Sequence, residues 1–479
     1  MVLELPRGLS SVLLALLIAA SPAAVSPALA SAPLGATAGG PPPASATIFP
    51  YPWQQKTLAN GLKIVVIPMP SDGLVSYRTV VRTGSRDEVE KGATGFAHFF
   101  EHMVFRGTKK YPADAYNEIV TRMGADSNAY TSSDMTVYEF DIVKDDLETV
   151  VEIESDRFMN LDYSKQGFET EAGAVYGEYR KNRSSPFFVL YEAVRAAAFD
   201  RHTYAHTTIG FVEDIKAMPS KYDYSRDFFR RFYRPENCVI VVAGDVEAEP
   251  TFALIEQYYG GWAKGYVAPK IKAEKPQKQQ RELEVEYDGR SLPRIWIGYR
   301  GPAFTPEDRI YVASMVLAEI AFGETSDIVR ELRLEQQKVE SLGVGAATNR
   351  DPELWSVIAT VKDEADIDAV LARIDQTIAR YREELPDAAR VDAVKSHMRY
   401  QYLLGLDTPS AVAGQVASFI GTAGDLARVE QLYQNLQAVT PEDVREAARR
   451  WLVDDQRTVA ILREAKAKST EAATEKGAQ

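Results

Sequence analysis

Residues 98–108 read HFFEHMVFRGT. Two of the chain's five histidines stand four residues apart here, with a carboxylate between them. On a helix, residues four apart share a face, one turn above each other. His98 and His102 can therefore aim both imidazoles at one point, with Glu101 at the edge of that face. Phe96, Phe99, Phe100, Met103, Val104 and Phe105 surround them on more than one side, which is the pattern of a buried helix. Burying two imidazoles and a carboxylate in such company is costly unless they are paired or hold a metal. Zinc takes nitrogen and oxygen donors in a tetrahedron, and a catalytic site leaves one position for water. Two histidines thus leave one protein ligand to be found, and several downstream acids compete for the place.

Outward from this stretch the chain reads as an ordinary globular protein of 479 residues, 45% hydrophobic and 26% charged, long enough for two or three domains. Its net charge of −13 argues against nucleic acid or an anionic membrane as a partner. Residues 1–30 read as a signal peptide: Arg7, an apolar run from Leu9 to Ala20 too short to span a bilayer, and a small-x-small cleavage site ending at Ala30. This predicts export to the periplasm. Residues 31–48, rich in Ala, Pro and Gly, read as a flexible N-terminus. An α+β domain is expected over 49–263, a Lys/Gln/Pro-rich linker over 264–283, a second domain over 284–464, and a disordered tail over 465–479. YSRDFFRRFYRPENCVIVVAG (224–244) and TPEDVREAARRWLVDDQRTVAILR (440–463) share one order, a helix with paired arginines followed by a strand, and so suggest two similarly built halves. The single cysteine, Cys238, lies in an apolar strand, reads as a small core residue, and excludes an internal disulfide.

His-x-x-Glu-His reverses the usual helical zinc motif. With SNAYTSSDMTVYEF (127–140), ETEAGAVYGEY (169–179) and YRPENCVIVVAGD (233–245), it makes most of the chain beyond residue 50 resemble the pitrilysin-like, insulinase-type metallopeptidases. The bacterial periplasmic and mitochondrial-processing-peptidase-like branch is the most similar. The resemblance implies two homologous mixed α/β domains, each an antiparallel sheet covered by helices, forming one half of a clamshell. It implies one zinc ion per chain with Glu178 as the third ligand, and an auxiliary acid at Glu171. The seven-residue spacing keeps those two on one helical face. Glu152, Glu154 and Glu169 read as a solvated acidic surface. Glu101 is then the general base of peptide-bond hydrolysis. The family's Asn-Ala pair beside the cleaved bond falls on Asn128 and Ala129, in a segment that reads as an edge strand able to pair with an extended peptide.

Two positions depart from the family's pattern. Ala172 stands where an arginine is usual. The family's second half also supplies an arginine and, seven residues on, a tyrosine; Arg333 fits the first, but Glu340 occupies the second, and a carboxylate cannot donate a phenol's hydrogen bond. The expected partner is therefore a homologous subunit contributing the Arg/Tyr pair in a heterodimer, with a homodimer as the simpler rival. The alternative to an enzyme is a catalytically silent subunit that holds peptides or serves as a scaffold.

Overall fold

The computed structural model describes residues 47–465. The expected signal peptide, nearly all of the expected flexible N-terminus and the tail from 466 lie outside the described residues. No described helix is long and apolar enough to cross a membrane.

The first sheet has six strands: β1 (Gln54–Thr57), β2 (Lys63–Pro68), β3 (Leu74–Val81), β4 (Asp126–Thr131), β5 (Thr136–Val143) and β6 (Cys238–Gly244). Their order is β1-β2-β6-β3-β5-β4, antiparallel throughout except for the parallel pair β2/β6. KIVVIP and CVIVVAG are largely apolar runs, and they form the parallel pair inside the sheet, covered on both faces. β4, which is more polar, ends the sheet. Around it stand α1 (Phe96–Met103), α2 (Leu147–Asn160), α3 (Lys165–Asn182) and α5 (Tyr222–Phe232), while α4 (Pro186–Ala198) lies between α3 and α5 in the chain.

The second sheet runs β7 (Arg281–Tyr287), β11 (Arg457–Glu464), β8 (Arg294–Arg300), β10 (Leu354–Val361), β9 (Val339–Gly345), with β7/β11 as its one parallel pair. Strand for strand this repeats β2-β6-β3-β5-β4. Its helices include α6 (Arg309–Phe322), α7 (Pro409–Ala423) and α8 (Pro441–Trp451). The two helix-strand stretches noted in the sequence are α5 leading into β6 and α8 leading into β11, at equivalent places in the two sheets.

The domains exchange a helix. α4 leaves the first domain and packs on β7, β8 and β11 of the second, while α7 leaves the second and packs on β3 and β6 of the first. Val80, Val239 and Val241 therefore join one core with Val412, Val416 and Ile420. Arg78 donates to Ser410 Oγ at 2.9 Å, and Ser410 donates to Asp141 at 2.7 Å across the same boundary.

Three sequence expectations change. Ile48, placed in the flexible stretch, is buried, and its backbone N–H donates to Glu430 at 2.9 Å. The linker ends earlier than residue 283, because the alternating stretch RELEVEY already pairs with β11 from Arg281. Glu274, within the linker, accepts the backbone N–H groups of Asp200, Arg201 and His202 at 2.7–3.0 Å. Glu154 is not solvated. It is 0% exposed and paired at 2.5 Å with Arg157, whose guanidinium lies over the rings of Phe105, Tyr116 and Tyr138. An aromatic cage thus covers an acid that linear charge patterning assigns to the surface.

Candidate metal centre

α1 is held at its start by two devices. Gly95 adopts φ +90°, and a Cβ there would meet the Ile209 carbonyl oxygen at 2.5 Å, so only glycine fits. Glu88, 2% exposed, accepts the N–H groups of Gly95 and Ala97 at 2.7 Å each, satisfying donors that a helix start leaves unpaired. Phe96, Phe99 and Phe100 bury the helix against α3 and α5 through ring contacts with Phe168 and Phe228.

This packing leaves His98 and His102 on the side facing α3, where Glu178 projects. Nε2 of each histidine lies 3.5 Å from the same Oε2 of Glu178. One donor atom from each of the three residues falls within 4.8 Å of the others. Around a tetrahedral zinc with bonds of about 2.1 Å, ligand atoms stand about 3.4 Å apart, so the donor set and its spacing fit that ion. Among the described residues, His98 Nδ1 is buried without a hydrogen-bond partner. Burial would lower the His102 pKa, but hydrogen bonds to Glu171 and Glu178 push it up to about 10. Burial likewise works to raise Glu178, yet His102 and His98 hold it down at about 2. The carboxylates thus draw positive charge to this point, a proton on His102 here, which a metal ion would have to displace.

Glu171 sits two turns before Glu178 on the same face of α3, 3% exposed, with Oε1 3.0 Å from His102 Nδ1. It stands behind His102 and does not share the donor cluster, so it positions the imidazole. Glu101 Oε2 accepts a hydrogen bond from Thr131 Oγ1 at 2.6 Å. Asn128 and Ala129 lie on β4, the free edge of the sheet, pairing with Glu139 and Tyr138 of β5 on one side only. Glu101, His102, Asn128 and Ala129 line one cavity of ≈ 350 Å³ together with Phe105, Arg106 and Asn117. Arg333 and Glu340 do not line it. Arg333 pairs with Glu324 at 2.8 Å, and Glu340 is exposed near the start of β9.

Sequence reasoning did not single out Glu88, Thr131 or Arg106. Thr131 lies two residues beyond Ala129 on the same strand, hence on the same face, and this alternation could have flagged it. Arg106 is inside the opening stretch. Glu88 offered only the general signal of an acid ahead of a helix.

Residues 63–211 match the family model for insulinase, peptidase family M16, and residues 221–398 match the M16 inactive domain; together they span more than half of the chain. The chain belongs to the insulinase (M16) peptidase family. The zinc protease PqqE of Helicobacter pylori is 27% identical over 416 residues, which cover 85% of this chain and 92% of that protein. A probable mitochondrial-processing peptidase subunit beta of Schizosaccharomyces pombe is 25% identical, covering 83% and 88%. A solved protease structure from Helicobacter pylori is similar at TM-score 0.80 and 26% identity, covering 86% of this chain and all of that one. The periplasmic protease PqqL of Escherichia coli, 20% identical, shares the fold at TM-score 0.71 over 87% of this chain and 48% of its own.

Proposed function

We propose that this chain is a zinc-dependent endopeptidase that hydrolyses extended peptides, with one metal ion held by His98, His102 and Glu178. The observation that carries the reading is the convergence of these three donors beside Glu101, a carboxylate that the metal cluster does not use. Bound zinc supplies Lewis acidity toward the scissile carbonyl and toward water. The chain's own residues do the rest. β4 offers its free edge to an extended peptide, with Asn128 and Ala129 nearest the base. Thr131 fixes the Glu101 carboxylate by donating to one oxygen. Glu101 takes a proton from the attacking water and returns it to the leaving amine. Glu171 keeps the His102 ring in place.

Metal analysis and peptide hydrolysis test this together. The native chain should carry about one zinc and cleave unfolded peptides, and Glu101→Gln should keep the zinc and lose the cleavage. A Glu101→Gln chain that cleaves at the native rate sinks the mechanism.

The enzyme is further proposed to be one of two subunits, exported and acting in the periplasm. Glu340 in place of the phenol supports a partner that supplies an Arg/Tyr pair, and so does the match to about half of PqqL. A clamshell formed by two such halves would enclose peptides and exclude folded proteins. Purification from the native envelope should bring down a homologous chain that accelerates hydrolysis. If the isolated chain is fully active and indifferent to any companion, the two-subunit reading is wrong.

A further inference from the structure

Arg106, Gly107 and Thr108 follow the two histidines and take no part in the chemistry above. Gly107 has φ +88°, and a Cβ on it would meet the Tyr111 carbonyl oxygen at 2.5 Å, so the chain must turn sharply at a glycine. Thr108 pins the far side of the turn. Its hydroxyl donates to Asp156 and accepts the N–H groups of Lys110 and Tyr111 at 3.1 and 3.0 Å. A backbone bridge ties the same residue to Leu161. The anchored turn carries Arg106 back over the site, where its Nε donates to Glu171 Oε2 at 2.5 Å and Nη2 pairs with the same oxygen.

The two oxygens of Glu171 therefore have separate tasks: Oε1 meets His102 Nδ1, and among the described residues Oε2 is bonded by Arg106 alone. We propose that Arg106 is a positioning residue of the metal centre, clamping Glu171 so that His102 presents Nε2 to the point shared with His98 and Glu178. Deleting the clamp leaves a nearly buried oxygen without a donor, and the carboxylate turns to regain one. His102 then loses the fixed acceptor that sets its ring orientation. The Arg106 side chain is itself 51% exposed and lines the cavity, so it adds little to the core, and truncating it should spare the fold.

The inference rests on the proposed metal site, and its test is zinc affinity rather than hydrolysis. Zinc titrated into the metal-free full chain should bind about tenfold more weakly to Arg106→Met than to native, with the metal-free melting temperature unchanged. Arg106→Lys should recover part of the loss, since an ammonium offers one point charge instead of a planar fork. Because Arg106 acts through Glu171, the double variant with Glu171→Gln should bind no more weakly than Glu171→Gln alone. Native affinity in Arg106→Met, or additive losses in the double variant, overturns the proposal. A native chain that binds no zinc sinks both this and the proposed function. A native chain that binds zinc but cleaves nothing sinks only the latter.

Discussion

α1 and α6 occupy the same slot in the two domains, each following the third strand of its sheet's shared pattern, β3 or β8. α1 has eight residues and turns Glu101 and His102 toward a cavity, with His98 buried beside them. α6 has fourteen, and every residue from Tyr311 through Phe322 is buried. The only acid among them, Glu319, is held there against its preference, burial pushing its carboxyl up. One scaffold thus serves two ends. A helix wrapped on all sides stabilises, whereas a helix with one open side can hold donors that would otherwise be too costly to bury.

The largest expected contrast is chemical. Glu101→Gln should cut peptide hydrolysis by about a thousandfold, whereas Glu319→Gln in the matching helix should leave kcat/KM within about twofold. Equal losses in the two variants would break the comparison. In the opposite sense, Leu317→Ala in α6 should cost about 2–5 kcal/mol of stability by denaturant unfolding, with zinc content unchanged. A smaller effect is expected at Thr131. Thr131→Val removes the bond that orients Glu101 and should lower kcat about tenfold with KM unmoved, since a hydrogen bond to a charged group contributes about 1.5–3 kcal/mol. The smallest effect concerns the joint between the domains. Asp351 of the second domain receives Arg86 Nε at 2.6 Å and lies 2.9 Å from His202 Nε2, both from the first. Burial favours its neutral form, but His202 and Arg86 outweigh this and hold the carboxyl well below the usual range. A depressed carboxyl contributes stability that is whole above the unfolded-state value near 4 and is lost as pH falls below it. Melting temperature should therefore fall by a few degrees more between pH 5 and 3 in the native chain than in Asp351→Asn.

The chemistry was legible because most of it is local. Two donors and the base lie within one helical turn, and helix geometry alone brings them together. Glu178 lies on another helix, and only resemblance to a family selected it from several acids. The sheets were legible as apolar runs and alternations, down to the edge position of β4. The helix exchange was not. The apolar faces of α4 and α7 state that they must be covered, but a hydrophobic pattern does not say by which sheet. Glu154 was misread for a related reason: a charge assigned to the surface by its neighbours in sequence was enclosed by aromatic rings from three other segments.

The exchanged helices also impose an order in time. A ribosome completes β3 and β6 by residue 244, yet the helix that covers them begins at Pro409. For the whole interval the apolar side formed by Val80, Val239 and Val241 has no native cover, and a half-made chain presents it to whatever is near. Folding of the first half is thus tied to completion of the second, and a polypeptide truncated after the connector should be sticky rather than merely inactive.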